Sequence, residues 1–312
     1  MQHNEFVGKD IVSIKDMSNE EIEHILDVAK GMVDVAKGKK KMRVLEDRIL
    51  GLAFFEPSTR TKLSFECAML RLGGKCLGFS DPTSTSVAKG ETLSDTVRML
   101  SSYSDAIVIR HKYEGAARLA ARISDKPVIN AGDGAGQHPT QTLLDLFTIR
   151  NKLGKIEGVN VALIGDLKYG RTVHSLAYAL AKFRANLYFV APETLQMPDD
   201  IVDTVCELGG KPEKYSRLED VIEHADVFYM TRIQKERFPD VQEYNKVSGV
   251  FRMDAKMLEN AKKNAIVMHP LPRVNEIQPD VDETPHAVYF EQAFNGVPVR
   301  MAILALLLGG EL

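Results

Sequence analysis

Ile49-Leu50-Gly51-Leu52-Ala53-Phe54-Phe55-Glu56-Pro57-Ser58-Thr59-Arg60-Thr61 decides how this chain is read. The run from Ile49 to Phe55 is apolar and of strand length, as a buried strand requires. Glu56-Pro57 marks a turn, and the segment from Lys62 to Leu72 continues as a helix. A strand therefore feeds a helix through a turn bearing three hydroxyls and a guanidinium. The orphan N–H groups and the positive dipole end of a helix favour an anion. Arg60 adds planar donors matched to phosphate oxygens. The stretch reads as a site for a phosphorylated small molecule. The plainer alternative is a helix cap, for which Ser and Thr are common, but a cap needs only one hydroxyl.

The same strand–helix unit recurs outward from this point. Strands are expected at 49–55, 75–79, 105–110 and 127–130, with helices at 58–72, 90–102, 114–123 and 139–151. A second series follows, with strands at 159–165, 186–191, 226–230, 265–269 and 287–290 and helices at 171–183, 199–208 and 217–224. Ser18-Asn19-Glu20-Glu21 is a capping-box pattern that opens an earlier helix. Alternation of this kind predicts α/β architecture: two doubly wound parallel-sheet domains joined by helices. The last helix, Glu291 to Leu308, has no strand after it and is expected to pack back on the first domain. The expected domains are 1–138 plus 292–312, and 139–291.

Bulk composition narrows the partners. The chain has 312 residues, 44% hydrophobic and 27% charged, with a formal net charge of -3. That balance suits a globular protein and provides no global basic field for nucleic acid. Lys39-Lys40-Lys41 with Arg43 reads as a solvated loop. Cys67, Cys76 and Cys206 are too few and too scattered for a disulfide framework or a zinc site. They fit a reducing cytosol. Met1 to Glu5 has no signal-peptide pattern, and Met301 to Leu308 is too short to span a bilayer. A cytoplasmic location without a membrane partner is expected.

In open parallel sheets, ligands bind beyond the carboxyl ends of the strands. Arg110 ends the strand Asp105 to Arg110, and Asn130-Ala131-Gly132-Asp133-Gly134-Ala135-Gly136-Gln137-His138-Pro139-Thr140-Gln141 follows another. In the second series, Gly165-Asp166-Leu167-Lys168-Tyr169-Gly170-Arg171-Thr172, Met230-Thr231-Arg232-Ile233-Gln234 and His269-Pro270-Leu271-Pro272-Arg273 follow strands. Arg60, Arg110, Arg171 and Arg232 thus recur at strand ends in an acidic chain. Each has a plainer reading: Arg110 could pair with a nearby carboxylate, His138 could be a satisfied turn residue, and Gly132 to Gly136 a flexible turn. Gly165 to Thr172 nearly matches a phosphate-binding P-loop, but Arg171 stands where that motif has Lys. Arg171 is better suited to forking a carboxylate.

Phe54 to Thr61 resembles the carbamoyl-phosphate signature of the transcarbamoylases, and Asn130 to Gln141 resembles their second signature. Gly165 to Ser175, Thr231 to Arg237 and His269 to Arg273 are similar to the catalytic chains of the branch whose acceptor is aspartate. The ornithine branch carries Cys-Leu-Pro where this chain has Pro270-Leu271-Pro272. The resemblance covers nearly the whole chain. It implies transfer of the carbamoyl group of carbamoyl phosphate to the amine of L-aspartate, giving N-carbamoyl-L-aspartate and phosphate, a step of pyrimidine biosynthesis. No cofactor and no metal is implied.

The resemblance also implies roles. Ser58, Thr59, Arg60 and Thr61 would hold the phosphate, with Arg60 stabilising it as it leaves. Arg110, His138 and Thr61 would face the carbonyl oxygen, and Gln141 with the carbonyls of Leu271 and Pro272 would accept from the carbamoyl NH2. Leu271-Pro272 is a candidate cis peptide. Arg171, Arg232, Gln234 and Lys89 would bind aspartate, and Glu56 with Arg237 would lock the domains after closure. In the family the loop at 81–90 reaches a neighbouring subunit's site, which implies a homotrimer with shared active sites, with or without separate regulatory chains. Here the spacing between loop serine and lysine is one residue shorter than in the bacterial members. Lys89 is the match for the lysine, and Ser86 or Thr85 for the serine. Two other readings stand beside this one. One is a transcarbamoylase for ornithine or a related amine, which Arg171 and Arg232 disfavour. The other is a non-catalytic phosphate- or nucleotide-sensing module.

Overall fold

The computed structural model describes residues 5–233, 242 and 249–310. The chain divides into two compact units, Met1–Phe147 with Phe294–Leu312, and Thr148–Ala293. The first holds a four-stranded sheet of β1 (Ile49–Phe54), β2 (Lys75–Phe79), β3 (Ala106–His111) and β4 (Val128–Asp133). Its order is β2-β1-β3-β4, and every pairing is parallel. From Leu50 to Phe54 every residue of β1 is buried. Successive side chains point to opposite faces, so both faces of the sheet are covered. On one face Ala53, Ile107 and Ile109 pack with Val97, Leu100, Ala117 and Ala120. Those last four belong to α3 (Leu93–Tyr103) and α4 (Ala116–Ile123). α1 (Asn19–Ala36) packs on α2 (Thr59–Arg71), which packs on β1 and β2. The capping box at Ser18 is formed in both directions, Glu21 N to Ser18 Oγ and Ser18 N to the Glu21 carboxylate.

The second unit holds β5 (Asn160–Ile164), β6 (Asn186–Val190), β7 (Glu213–Tyr215), β8 (Val227–Met230) and β9 (Ile266–Met268). The order is β7-β6-β5-β8-β9, again wholly parallel. α6 (Arg171–Lys182) packs on β6 and on α7 (Asp199–Glu207). Ala162, Ile164, Phe228, Met230 and Val267 pack with Leu218, Val221, Phe251, Met253 and Tyr289. A one-turn helix, α8 (Ala255–Leu258), adds Leu258 to the same cluster. The division between the units falls inside α5 (Pro139–Leu153) and inside α9 (Tyr289–Leu307). From Phe294 onward α9 belongs to the first unit, where Gly8 N donates to Leu307 O. The chain is thus α/β, with two doubly wound parallel sheets and a C-terminal helix returning to the first unit.

Two expected elements are absent. The segment 217–224 is a run of turns, not a helix. Its apolar spacing is nevertheless helical, because Leu218, Val221, Ile222 and Ala225 are all buried. The backbone meets that pattern with short bonds, Val221 N to Leu218 O and His224 N to Val221 O, which place one side on the core without a continuous ladder. The expected strand 287–290 is a single bridge, Val267 to Ala287. Val288 N bonds Val267 O, but Gln292 N already bonds Val288 O, so α9 has begun. Conversely, β7 has the sequence Glu-Lys-Tyr, which lacks the apolar alternation of a strand, and it sits at the sheet edge beside β6.

Candidate active site

In the first sheet the chain goes from β1 to β2 on one side and later to β3 on the other, so the switch point lies between β1 and β3. The register pairs Phe54 with Arg110, and Phe55 N donates to Arg110 O at 2.8 Å. The turn after β1 and the arginine ending β3 are therefore neighbours through the backbone ladder. Ser58 stands at the N-cap of α2 with extended dihedrals, but its hydroxyl makes no capping bond. The first turn of α2 contains no acidic residue. The plain capping reading thus fails for Ser58, and the helix leaves its N–H groups to another acceptor. Thr59 and Arg60 are exposed, whereas Thr61 is buried. Partial desolvation lowers the Arg60 pKa from its ordinary value, which is high enough that the group stays cationic.

Arg110 is held from two sides. Its Nη1 donates to Ala131 O at 3.1 Å, and its Nη2 lies 3.5 Å from Glu56 Oε1. The rim carboxylate expected as one alternative is therefore Glu56. Behind β4, Asn130 organises the next loop. Its Nδ2 donates to Asp133 Oδ1 and Val12 O, and its Oδ1 accepts from Gly132 N. Asp133 in turn accepts from Gln137 N and Gly115 N. Gly134 has φ 53°, and a Cβ there would meet Glu114 N at 2.7 Å. The glycines are thus required by a tight, fully bonded loop, not by looseness. This loop delivers His138, buried, directly before Pro139 at the start of α5. Gln141 lies one turn further along, also buried, with its Nε2 donating to Asp145 Oδ1 at 2.9 Å.

The second sheet repeats the logic. β6 and β7 lie on one side of β5, and β8 and β9 on the other, so the switch point lies between β5 and β8. Ile164 and Met230 are register partners. The Thr231 hydroxyl donates to Ile164 O and accepts from Asp166 N, tying both strand exits together. Gly165 has φ 115°, and a Cβ there would approach Thr231 O to 2.4 Å. That close approach, not a phosphate cradle, accounts for the glycine of the P-loop-like stretch. Arg171 opens α6 and is buried, while Arg232 follows Thr231 and is half-buried. The switch point thus places an arginine on each of the two chain segments that leave it.

Beyond β9, His269 is buried. Its Nδ1 accepts from Leu271 N at 2.8 Å, so Nε2 carries the proton and donates to Glu276 Oε1 at 2.7 Å. Leu271 has φ 54°, and the Leu271–Pro272 peptide is cis. Arg273 pairs with Asp282 and lies over the Tyr289 ring, a supporting arrangement within the same unit. Burial raises the Glu276 pKa, but the hydrogen bond from His269 together with backbone donors outweighs it, and the net shift is downward. A lowered carboxylate pKa contributes stability that is present above the unfolded value and is lost as pH falls through the folded value. Glu276→Gln should therefore cost about 1.5–3 kcal/mol at neutral pH and flatten the acid limb of stability. Urea midpoints of both proteins measured between neutral and acid pH check this; parallel curves would contradict it.

The segment 81–90 forms two short 3-10 turns, Pro82–Ser84 and Ser86–Lys89, with Ser86 and Lys89 exposed. Thr85 caps the second turn, its hydroxyl accepting from Val87 N, whereas no such bond engages Ser86 at that cap. Gln234 and Arg237 lie outside the described residues. Sequence reasoning passed over Asp145 and Arg300. Asp145 sits four residues after Gln141, on the same face of α5, and Arg300 interrupts an apolar helix, so both left a visible signal. Among the described residues no cluster of three or more His, Cys, Asp or Glu could hold a metal ion, and no helix is long and apolar enough to cross a membrane.

Comparison with known proteins places this geometry in context. Residues 9–151 match the family described as aspartate/ornithine carbamoyltransferase, carbamoyl-P binding domain, and residues 157–307 match its Asp/Orn binding domain. The chain is 58% identical to the aspartate carbamoyltransferase catalytic subunit of Archaeoglobus fulgidus, over 95% of this chain and 97% of that protein. It is 55% identical to that of Thermococcus onnurineus, over 98% of each. Among solved structures, the aspartate transcarbamoylase of Trypanosoma cruzi in complex with carbamoyl phosphate and aspartate superposes with a TM-score of 0.92 at 40% identity, covering 99% of each chain. The catalytic subunit from M. Jannaschii gives a TM-score of 0.88 at 53% identity, covering 95% of this chain and 96% of that one.

Proposed function

The chain belongs to the aspartate/ornithine carbamoyltransferase family, and from that premise we propose that it transfers the carbamoyl group of carbamoyl phosphate to L-aspartate. The products are N-carbamoyl-L-aspartate and phosphate, at an early step of pyrimidine synthesis in the cytoplasm. The observation that carries the choice of acceptor is the second switch point, where Arg171 and Arg232 leave adjoining strands. Two guanidinium groups suit a dicarboxylate and oppose a cationic side chain such as that of ornithine.

In this reading the neutral amine of aspartate attacks the carbamoyl carbon. A tetrahedral oxyanion forms, the bond to the phosphate oxygen breaks, and the phosphate leaves with the electron pair. Arg110, Thr61 and His138 stabilise the oxyanion. His138 acts as a hydrogen-bond donor, since its partner is an oxygen gaining charge. Ser58, Thr59, Arg60 and the N-terminus of α2 bind the departing phosphate. Gln141 and the carbonyls of Leu271 and Pro272 accept from the carbamoyl NH2, while Arg171, Arg232 and Gln234 hold the carboxylates of aspartate. The leaving phosphate serves as acceptor for the amine proton. The purified chain mixed with carbamoyl phosphate should form a carbamoylated product with L-aspartate and none with L-ornithine. Absence of product with either amine removes the proposal.

The working form in this proposal is a homotrimer in which Lys89 and Ser86 enter a neighbouring copy's site. The exposure of both residues in their own chain supports it. Arg60→Ala and Lys89→Ala chains, each nearly inactive alone, should regain part of the wild-type activity when dissociated and reassembled together, because some sites then receive both intact residues. Mixtures no more active than their components would argue for sites built from one chain.

A further inference from the structure

One charge lies where its neighbours are apolar. Arg300, in α9, is 3% exposed and stands between the fully buried Val299 and Met301. Its Nη2 donates to Thr140 Oγ1 at 3.2 Å, and its guanidinium lies over the Phe65 ring, 4.9 Å from the centroid. Its Nε has no hydrogen-bond partner among the described residues. Gly296, one turn earlier, supplies the space, because a Cβ there would meet Arg300 Nη1 at 2.3 Å. Burial pushes the guanidinium pKa down to about 10, and the charge of Asp145 acts against that fall. The group therefore remains protonated at neutral pH. It touches α2 through Phe65 and α5 through Thr140, the two helices whose first turns carry Thr59 to Thr61 and Gln141.

Asp145 is wholly buried on α5 and accepts from Gln141 Nε2. Burying a guanidinium and a carboxylate costs several kcal/mol for each ion, and apolar residues of similar volume often serve stability as well or better. The chemistry of the pair suggests what it does instead. A carboxylate only accepts, whereas a glutamine amide has a donor end and an acceptor end. Asp145 engages the donor end and leaves Gln141 Oε1 as the end available to a ligand. Were Asp145 protonated or an amide, it could offer a donor and Gln141 could turn over. Arg300, hydrogen-bonded to Thr140 of the same helix α5, is the positive charge that interacts with Asp145.

We propose that Arg300 and Asp145 are positioning residues that fix Gln141 as a hydrogen-bond acceptor, so that the site selects an acyl phosphate bearing N–H over an isostere bearing CH3. The inference rests on the functional reading above. It is tested with Asp145→Asn, which keeps size and shape, and acetyl phosphate, which replaces the NH2 of carbamoyl phosphate with CH3. In the variant the KM for carbamoyl phosphate should rise about tenfold, the loss of one hydrogen bond to a ligand. The inhibition constants for acetyl phosphate and inorganic phosphate should stay within about twofold of wild type. Arg300→Lys should retain most of the discrimination, since it keeps the charge, whereas Arg300→Met should lose it. If Arg300→Met does not fold, the Asp145→Asn comparison decides. Equal weakening of all three ligands, or no change in any, overturns the proposal. A wild-type chain that does not turn over carbamoyl phosphate overturns the functional reading instead.

Discussion

Arg60→Ala should lower kcat by roughly 30- to 800-fold, equivalent to about 2–4 kcal/mol of lost transition-state stabilisation, while the protein melts almost as the wild type does. The two halves of that result come from the same geometry. Arg60 lies in the first turn of α2 with its side chain exposed, so folding asks little of it. Alanine is also the best helix former, and surface changes of this kind stay within about 0.5 kcal/mol of stability. In the proposed mechanism the guanidinium meets charge that develops on a departing phosphate. Ser58 makes no capping bond and the first turn has no acidic residue, so no carboxylate of that turn competes with a phosphate for Arg60 and the helix N–H groups. Arg60→Lys should recover only part of the loss, since an ammonium is a point charge without the planar fork. Steady-state rates at saturating substrate, set beside thermal melts, measure both halves. Near-wild-type kcat would remove Arg60 from the chemistry.

Arg232→Ala should act on the other substrate. One charge-assisted contact to a carboxylate is worth about 1.5–3 kcal/mol, so the KM for aspartate should rise roughly 10- to 150-fold. The KM for carbamoyl phosphate should stay within about twofold. Arg232 follows Thr231, whose hydroxyl is already satisfied by Ile164 O and Asp166 N, so the strand exit keeps its shape without the arginine. Saturation curves for each substrate at fixed excess of the other separate the effects. An unchanged aspartate curve would show that Arg232 has no part in acceptor binding.

Much of the sheet architecture is readable in the chain because buried parallel strands are short apolar runs with turn residues after them. Ile49 to Phe54 and Val227 to Met230 carry that signal plainly. It fails where periodicity and backbone part company. Leu218, Val221 and Ile222 have the spacing of a helix, yet turns suffice to bury them. Ala287 and Val288 look like a strand, yet pairing stops after one bridge because α9 starts at Tyr289. β7 gives no signal because an edge strand of three residues needs little burial. For the site, residues on strand exits were accessible through topology alone, since a switch point names its own neighbours. Asp145 and Arg300 were visible as residues but not in their role, because that depends on α9 meeting α5, where Arg300 bonds Thr140 across 160 residues of sequence. The function of Gly165 was equally hidden, since a phosphate loop and a close strand approach call for the same residue.

The Thr231 hydroxyl, bonded to both strand exits, has a consequence for how the two arginines beyond them are held. That one group pins the turn after β5 to the residue preceding Arg232, so the segments leading to Arg171 and Arg232 start from one bonded junction. The strands beneath that junction run about 4.8 Å apart, while Arg171 stands seven residues beyond Ile164, at the start of α6. A change at that hydroxyl would therefore be felt on both segments at once, because the two arginines share a single footing.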